Sequence, residues 1–174
     1  MNIKLKQVLI LVTISLQLSA QYTKTASCSN ADFDKKVNSY LSYSAPVINV
    51  AEAHAQKNKY IFLDAREFIE YQTSHIPGAR FIGYNDFKIE SLKGIAKDSK
   101  IIVYCSIGYR SEKIATKLKK YGFVHVLNLY GSLFEWVNAG YEITDKSGKP
   151  TKKVHTYNKK WSQWVINPTA DKIW

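Results

Sequence analysis

The 174 residues include 25 Lys and Arg against 14 Asp and Glu, a formal charge of +11, and 45% are hydrophobic. That length and apolar share suffice for one ordinary core, so one domain is expected, and with only two cysteines a disulfide framework is excluded as the source of stability. The basic surplus suits nucleic acid, a membrane surface or small anions, and the export signal read below makes nucleic acid the weakest of the three.

Residues 1–20 read as a secretory signal: Lys4 and Lys6, an apolar run from Val8 to Leu18, then small Ser19 and Ala20 before Gln21. The run is too short to span a bilayer comfortably. An uncleaved anchor or an ordinary first helix are the competing readings, and the polar stretch Gln21 to Asn30 argues against packing into the core. A further variant makes Cys28 a lipid-modified N-terminus, although Thr25-Ala26-Ser27 matches a lipobox weakly. The expectation is a periplasmic or secreted protein whose only membrane contact is through the signal or such a lipid.

Residues 21–45 form an N-terminal extension in which Phe33, Val37, Tyr40 and Leu41 share one helical face and Asn30 is a candidate cap. Val47-Ile48 suits a first strand, and Asn49 with Glu52 three residues later predicts a capping-box helix to about Gln56. Tyr60 to Leu63 is the next strand, ending at Asp64. Glu67 to Gln72 suits a short helix, His75-Ile76-Pro77-Gly78-Ala79 a turn, and Arg80 to Ile82 a short strand. Residues 84–100 are polar with apolar anchors at Phe87, Leu92 and Ile95.

Ile101-Ile102-Val103-Tyr104 is a buried strand that halts at Cys105. Ile114, Ala115, Leu118 and Tyr121 then recur at helical spacing, with Gly122 as the stop. His125 to Leu129 is a last strand and Leu133 to Asn138 a final helix stopped by Gly140. Strands alternating with helices through short connections give a parallel sheet covered on both faces. Lys146 to Pro150 reads as a linker within a basic tail, residues 146–174, whose Tyr157, Trp161 and Trp164 fall at helical spacing. That stripe docks either on its own domain or on a partner.

A cysteine at the carboxyl end of a strand, followed by Gly108 and Arg110 at a helix start, sits where loop amides, the helix dipole and a guanidinium converge on an anion. Such surroundings favour a thiolate. The bland alternative is an inert buried cysteine.

The segment Lys97 to Ser111 resembles the active-site region of the rhodanese (sulfurtransferase) family. A second block agrees with it: Asp64-Ala65-Arg66-Glu67, Glu70-Tyr71 and His75-Ile76-Pro77-Gly78-Ala79. A third is Leu129-Tyr130-Gly131-Ser132 through Trp136 to Ala139-Gly140-Tyr141. Together they cover about residues 46–143, within a domain at 46–145. Ser74 and Ser132 stand where the family often has Gly, and both are expected to lie clear of the cysteine loop. The resemblance implies an α/β fold, a five-stranded parallel sheet with helices on both faces.

It also implies Cys105 as nucleophile, with Ser106, Ile107, Gly108, Tyr109 and Arg110 around the substrate anion and Ser111 in support. Arg110 brings a fixed charge, unless it is a solvent-facing surface residue. Asp64 and Arg66 either brace the crevice or form a structural ion pair. His75, Pro77 and Gly78 belong to the turn. His54, His125 and His155 show no ligand spacing, so no metal is expected, and no organic cofactor. A Cys28 to Cys105 bridge would disable the nucleophile, so such a bond is expected at most as a regulatory or artefactual one.

The expected reaction is transfer of sulfane sulfur from a small anionic donor, thiosulfate or a persulfide, through a Cys105 persulfide to a thiol or cyanide acceptor. Two other classes compete. A phosphatase would use a Cys-x5-Arg loop, but this loop is Cys-x4-Arg with Tyr104 before the cysteine. A non-catalytic interaction module would fit loss of the cysteine, which is retained here. The sequence leaves the oligomeric state open.

Overall fold

In the computed structural model, which describes residues 22–174, five strands form one parallel sheet: β1 (Val47–Ile48), β2 (Ile61–Asp64), β3 (Arg80–Phe81), β4 (Lys100–Tyr104) and β5 (His125–Leu129). Their order is β1-β5-β4-β2-β3, with β4 at the centre. The export signal read over residues 1–20 lies outside the described residues. Alternation along β4 divides the interior: Ile101 and Val103 face one side, Ile102 and Tyr104 the other, all fully buried.

The described residues form five α-helices, α1 (Ala31–Asn38), α2 (Val50–Ala55), α3 (Phe68–Thr73), α4 (Tyr109–Lys120) and α5 (Ser132–Asn138), and all but α3 cover those faces. On the Ile101 side, Ile114, Ala115 and Leu118 of α4 pack with Leu63 and Val126. On the Ile102 side lie Phe33 and Val37 of α1, Val50 and Ala53 of α2, and Leu133, Phe134, Trp136 and Val137 of α5. The α/β architecture with helices on both faces is the one expected.

Local details depart from expectation in instructive ways. Asn30 does cap α1, its side chain accepting the Phe33 N–H at 2.9 Å. Asn49 does not close a capping box on α2. Its Oδ1 accepts the Ser27 N–H instead, at 3.0 Å, which ties the extension to the domain. Tyr121, at the end of the apolar stripe of α4, is 51% exposed because the helix has ended by Lys120 and the chain turns at Gly122. Tyr40 lies beyond α1 and is likewise exposed.

The tail is not helical. Residues 146–150, read as a linker, close a hairpin between β6 (Ile143–Thr144) and β7 (Pro150–Thr151), with Asp145 Oδ1 accepting the Ser147 N–H at 2.8 Å. Beyond it, β8 (Lys153–His155) pairs in parallel with β9 (Asp171–Ile173), and between them runs a 3-10 turn at Ser162–Trp164. Val154 and Val165 are fully buried in the core, and Trp164 stacks on Phe33 with ring centroids 5.7 Å apart. Trp161 and Trp164 of the aromatic stripe therefore dock on their own domain, through strands and turns, while Tyr157 stays exposed. Asn158 starts only one short turn: its Oδ1 accepts the Trp161 N–H at 3.1 Å, as Asn30 does for Phe33, and the chain has left helical form by Val165, which is extended.

Candidate active site

The site forms at the carboxyl ends of β2 and β4, where an open parallel sheet leaves its crevice. Beyond β4 the chain turns through Ser106 and Ile107 to Gly108, whose φ of +116° opens α4. A Cβ at Gly108 would be strained by that φ and would lie against the Leu129 carbonyl, the Leu41 side chain and the Asn128 amide. The turn brings the Gly108 N–H to 3.2 Å from Cys105 Sγ. The Ser111 hydroxyl lies 3.5 Å from the same sulfur and also donates to Asn128 Oδ1 at 2.7 Å, while Asn128 Nδ2 donates to the Gly108 carbonyl at 3.0 Å. Asn128, which sequence reasoning passed over, thus locks the loop from β5.

Ser132 corrects an expectation. It touches the cysteine loop directly: its Oγ accepts the Cys105 N–H at 3.2 Å and donates to the Leu129 carbonyl at 2.9 Å. The Leu133 and Phe134 N–H groups at the start of α5 donate to the carbonyls of Cys105 and Ser106, each at 3.1 Å. Ser132 holds a φ of +50°, the left-handed conformation that a glycine takes without cost, and its hydroxyl's two bonds offset that strain. Ser74, the other departure, supplies its carbonyl to Arg66 Nη2 at 2.6 Å.

Arg110 points into the crevice, where it meets Glu70 of α3 in a two-pronged ion pair, Nη1 to Oε2 at 2.6 Å and Nη2 to Oε1 at 2.9 Å. The Ser106 hydroxyl bridges the pair, accepting from Arg110 Nη2 at 2.9 Å and donating to Glu70 Oε1 at 3.1 Å. Glu70 had no role in the sequence reading although it lay within the quoted Glu70-Tyr71 block. It is 1% exposed, and a charged residue buried on a short helix signals a partner. Burial would raise its carboxyl pKa, but the Arg110 hydrogen bonds and charge hold it below the ordinary range.

Asp64 and Arg66 form a second, fully buried pair, Nη2 to Oδ2 at 2.6 Å, with the Arg66 N–H and Nε also donating to the carboxylate. They fix the end of β2 to the turn after α3. His75 stacks on Tyr71 and pairs with Thr144 through backbone bonds, Ile76 N–H donates to the Tyr104 hydroxyl at 3.1 Å, and Gly78 takes a φ of +76° beside Pro77. His54 stacks on Tyr141, and among the described residues no group of His, Cys, Asp and Glu is placed to hold a metal ion.

Cys105 forms the floor of a cavity of about 390 Å³ and is only 1% exposed. Burial alone would raise its pKa. The Arg110 charge, the Ser111 hydrogen bonds and the Gly108 N–H outweigh it and hold the thiol below its ordinary value. A thiolate there can attack an electrophilic sulfur and is a good leaving group afterwards.

A family model for the Rhodanese-like domain matches residues 47–139, more than half of the chain, and the chain belongs to that family. Its five-stranded sheet and its cysteine loop both fall within the matched span. A tRNA uridine(34) hydroxylase of Onion yellows phytoplasma (strain OY-M) is 30% identical over 128 residues, 71% of this chain and 40% of that protein. One of Escherichia fergusonii is 30% identical over 120 residues, covering 66% and 33%. The chain therefore spans two fifths or less of the length of these relatives. Among solved structures, a thiosulfate sulfurtransferase from Pseudomonas aeruginosa superposes with a TM-score of 0.52 at 24% identity, over 70% of this chain and 23% of that one. A rhodanese-related protein from Thermoplasma volcanium gives 0.50 at 24%, over 57% and 97%. At that identity both report a shared fold.

Proposed function

We propose that the chain is an exported sulfurtransferase carrying sulfane sulfur as a Cys105 persulfide. The observation that carries this is a cysteine at the floor of an open cavity it shares with Arg110, with the Gly108 N–H 3.2 Å from its sulfur, surroundings that lower its pKa despite almost complete burial. In the first step the Cys105 thiolate attacks the outer sulfur of thiosulfate or of a persulfide. A bond forms from Sγ to that sulfur, and sulfite or a thiolate leaves with the bonding pair. In the second step an acceptor, cyanide or a thiolate, attacks the carried sulfur and the pair returns to Sγ. The Gly108 N–H already faces Sγ and stabilises its charge on departure, while Arg110 supplies the positive field.

Glu70 has a positioning role: it fixes the guanidinium of Arg110 and offsets part of its charge, which moderates the attraction for anions. Export rests on the leader read in residues 1–20. The thiol of Cys28 is buried beside Gly131, and that burial supports a cleaved leader over lipid attachment.

The test is to incubate purified protein with thiosulfate and follow its intact mass. One added sulfur, absent in Cys105→Ser and removed by cyanide as thiocyanate, supports the reading. An unmodified wild-type mass with thiosulfate and with polysulfide alike overturns it. For export, expression of the full chain should yield a periplasmic or secreted form lacking the leader, and retention of Met1 to Ala20 on a cytosolic product would overturn that part.

A further inference from the structure

Three of the aromatic side chains that wall the Cys105 cavity come from outside residues 47–139. Tyr40 follows α1, while Tyr157 and Trp161 belong to the tail; with Tyr109 they ring the sulfur. The Tyr40 ring sits edge-on to both Trp161 and Tyr109, centroids 5.5 and 6.1 Å apart, so the two flanking segments meet directly over the opening. Tyr157 is held at a φ of +66°, costly for a tyrosine, while its ring faces the Arg110 guanidinium at 5.7 Å. Strain of this kind persists where surrounding structure imposes it, and it gathers at ligand-binding sites.

Charge and size point the same way. Arg110 is engaged by Glu70, and Glu67 adds a carboxylate to the wall, its Oε1 accepting from Asn85. The two carboxylates thus offset part of the Arg110 charge at this opening, so negative charge alone does not single out the acceptor. A volume of about 390 Å³ falls in the range of pockets for organic ligands and exceeds what thiosulfate or cyanide fills. Aromatic rings around an apolar entrance favour a flat apolar group by edge and face contacts.

We propose that the two flanking segments form an aromatic collar that selects the sulfur acceptor, an organic thiol bearing an aryl group, and that Tyr40, Tyr157 and Trp161 are its specificity-determining residues. This rests on the sulfur-transfer reading. The aryl group sits in the collar while its thiolate attacks the outer sulfur of Cys105–S–SH. An RS–SH bond forms, the Cys105 S–S bond breaks, and the electron pair returns to Sγ as thiolate. No net oxidation occurs and the proton stays on the transferred sulfur.

The experiment compares 2-phenylethanethiol with cyanide as acceptors from thiosulfate-loaded protein, in wild type, Trp161→Ala and Tyr157→Gly. The glycine variant removes a ring that is 56% exposed and relieves its φ, so it remains folded. The expected result is a fall of tenfold or more in the ratio of kcat/KM for the aryl thiol to that for cyanide, in both variants. An unchanged ratio in both overturns the collar. Calorimetric titration of 2-phenylethanethiol into Cys105→Ser reads the collar without sulfur transfer: weaker binding after adding Tyr157→Gly supports it, and equal binding overturns it. Failure of the wild type to take up sulfur sinks the transferase reading alone.

Discussion

The two cysteines are both buried and both free, and each has a carboxylate at hand, yet their surroundings drive them apart. Cys105 receives the backbone N–H groups of Gly108 and Ser111 and the field of Arg110, and its pKa is lowered. Cys28 packs against Gly131 beside Glu135 and Asp34, and burial together with those two negative charges raises its pKa. The carboxylates differ in the same sense. Glu70 is paired with Arg110 and stays ionised, whereas Glu135, desolvated and bonded to the Ser29 N–H at 2.6 Å, has its pKa raised. Burial makes a thiol inert only where nothing positive or donating faces it.

The contrast breaks most sharply by substitution. Cys105→Ser should abolish sulfur transfer with the far-UV circular dichroism unchanged, since a hydroxyl offers neither thiolate nor persulfide. Cys28→Ala should retain turnover and lose about 1 kcal/mol in a urea titration. Turnover in a folded Cys105→Ser protein would remove that residue from the reaction.

A second test concerns the field. Arg110→Ala should lower kcat/KM by roughly 100-fold, the order of losing one charge-stabilising group. It should also move the iodoacetamide alkylation profile of Cys105 to higher pH, while Cys28 stays unmodified by peptide mapping at every pH where the protein is folded. Because the single variant strands Glu70, it should be destabilised by about 3–5 kcal/mol, and the double variant Arg110→Ala/Glu70→Gln should recover part of that loss. A profile identical to wild type would place the cause of the lowered pKa elsewhere.

The two carboxylates predict opposite pH dependence. Glu70 has a folded pKa below its unfolded value, so its contribution is fully present above the unfolded value near 4.3 and is lost as pH falls through the folded one. Glu135 has a raised folded pKa, so the native state binds the proton more tightly and the contribution grows as pH falls through that value. Urea midpoints from pH 3 to 7 should therefore show a shallower acid loss for Glu70→Gln than for wild type and a steeper one for Glu135→Gln. The latter should differ from wild type by under about 1 kcal/mol at pH 7, the smallest effect of the set. Parallel curves for both variants would refute the assignment.

Local pattern along the chain encodes the elements but not their partners. The unbroken apolar run Ile101 to Tyr104 and the spacing of Ile114, Ala115 and Leu118 specify a buried strand and a one-sided helix, and Gly108 specifies the turn that joins them at Cys105. With the family's motifs these placed the sheet and its reactive loop. The tertiary structure alone decided the partners. Glu70 and Arg110 stand 40 positions apart and meet because α3 and the start of α4 both open at the carboxyl end of the sheet. Ser132 reaches Cys105 because β5 lies beside β4, and a one-dimensional pattern tells which side of a residue is buried but not against what. The tail shows the limit most plainly. Tyr157, Trp161 and Trp164 keep a helical spacing, yet the segment forms only the short turn Ser162–Trp164 and the pairing of β8 with β9 holds the rest in another form, because tertiary burial of Val154, Val165 and Trp164 outweighs a weak local preference for helix.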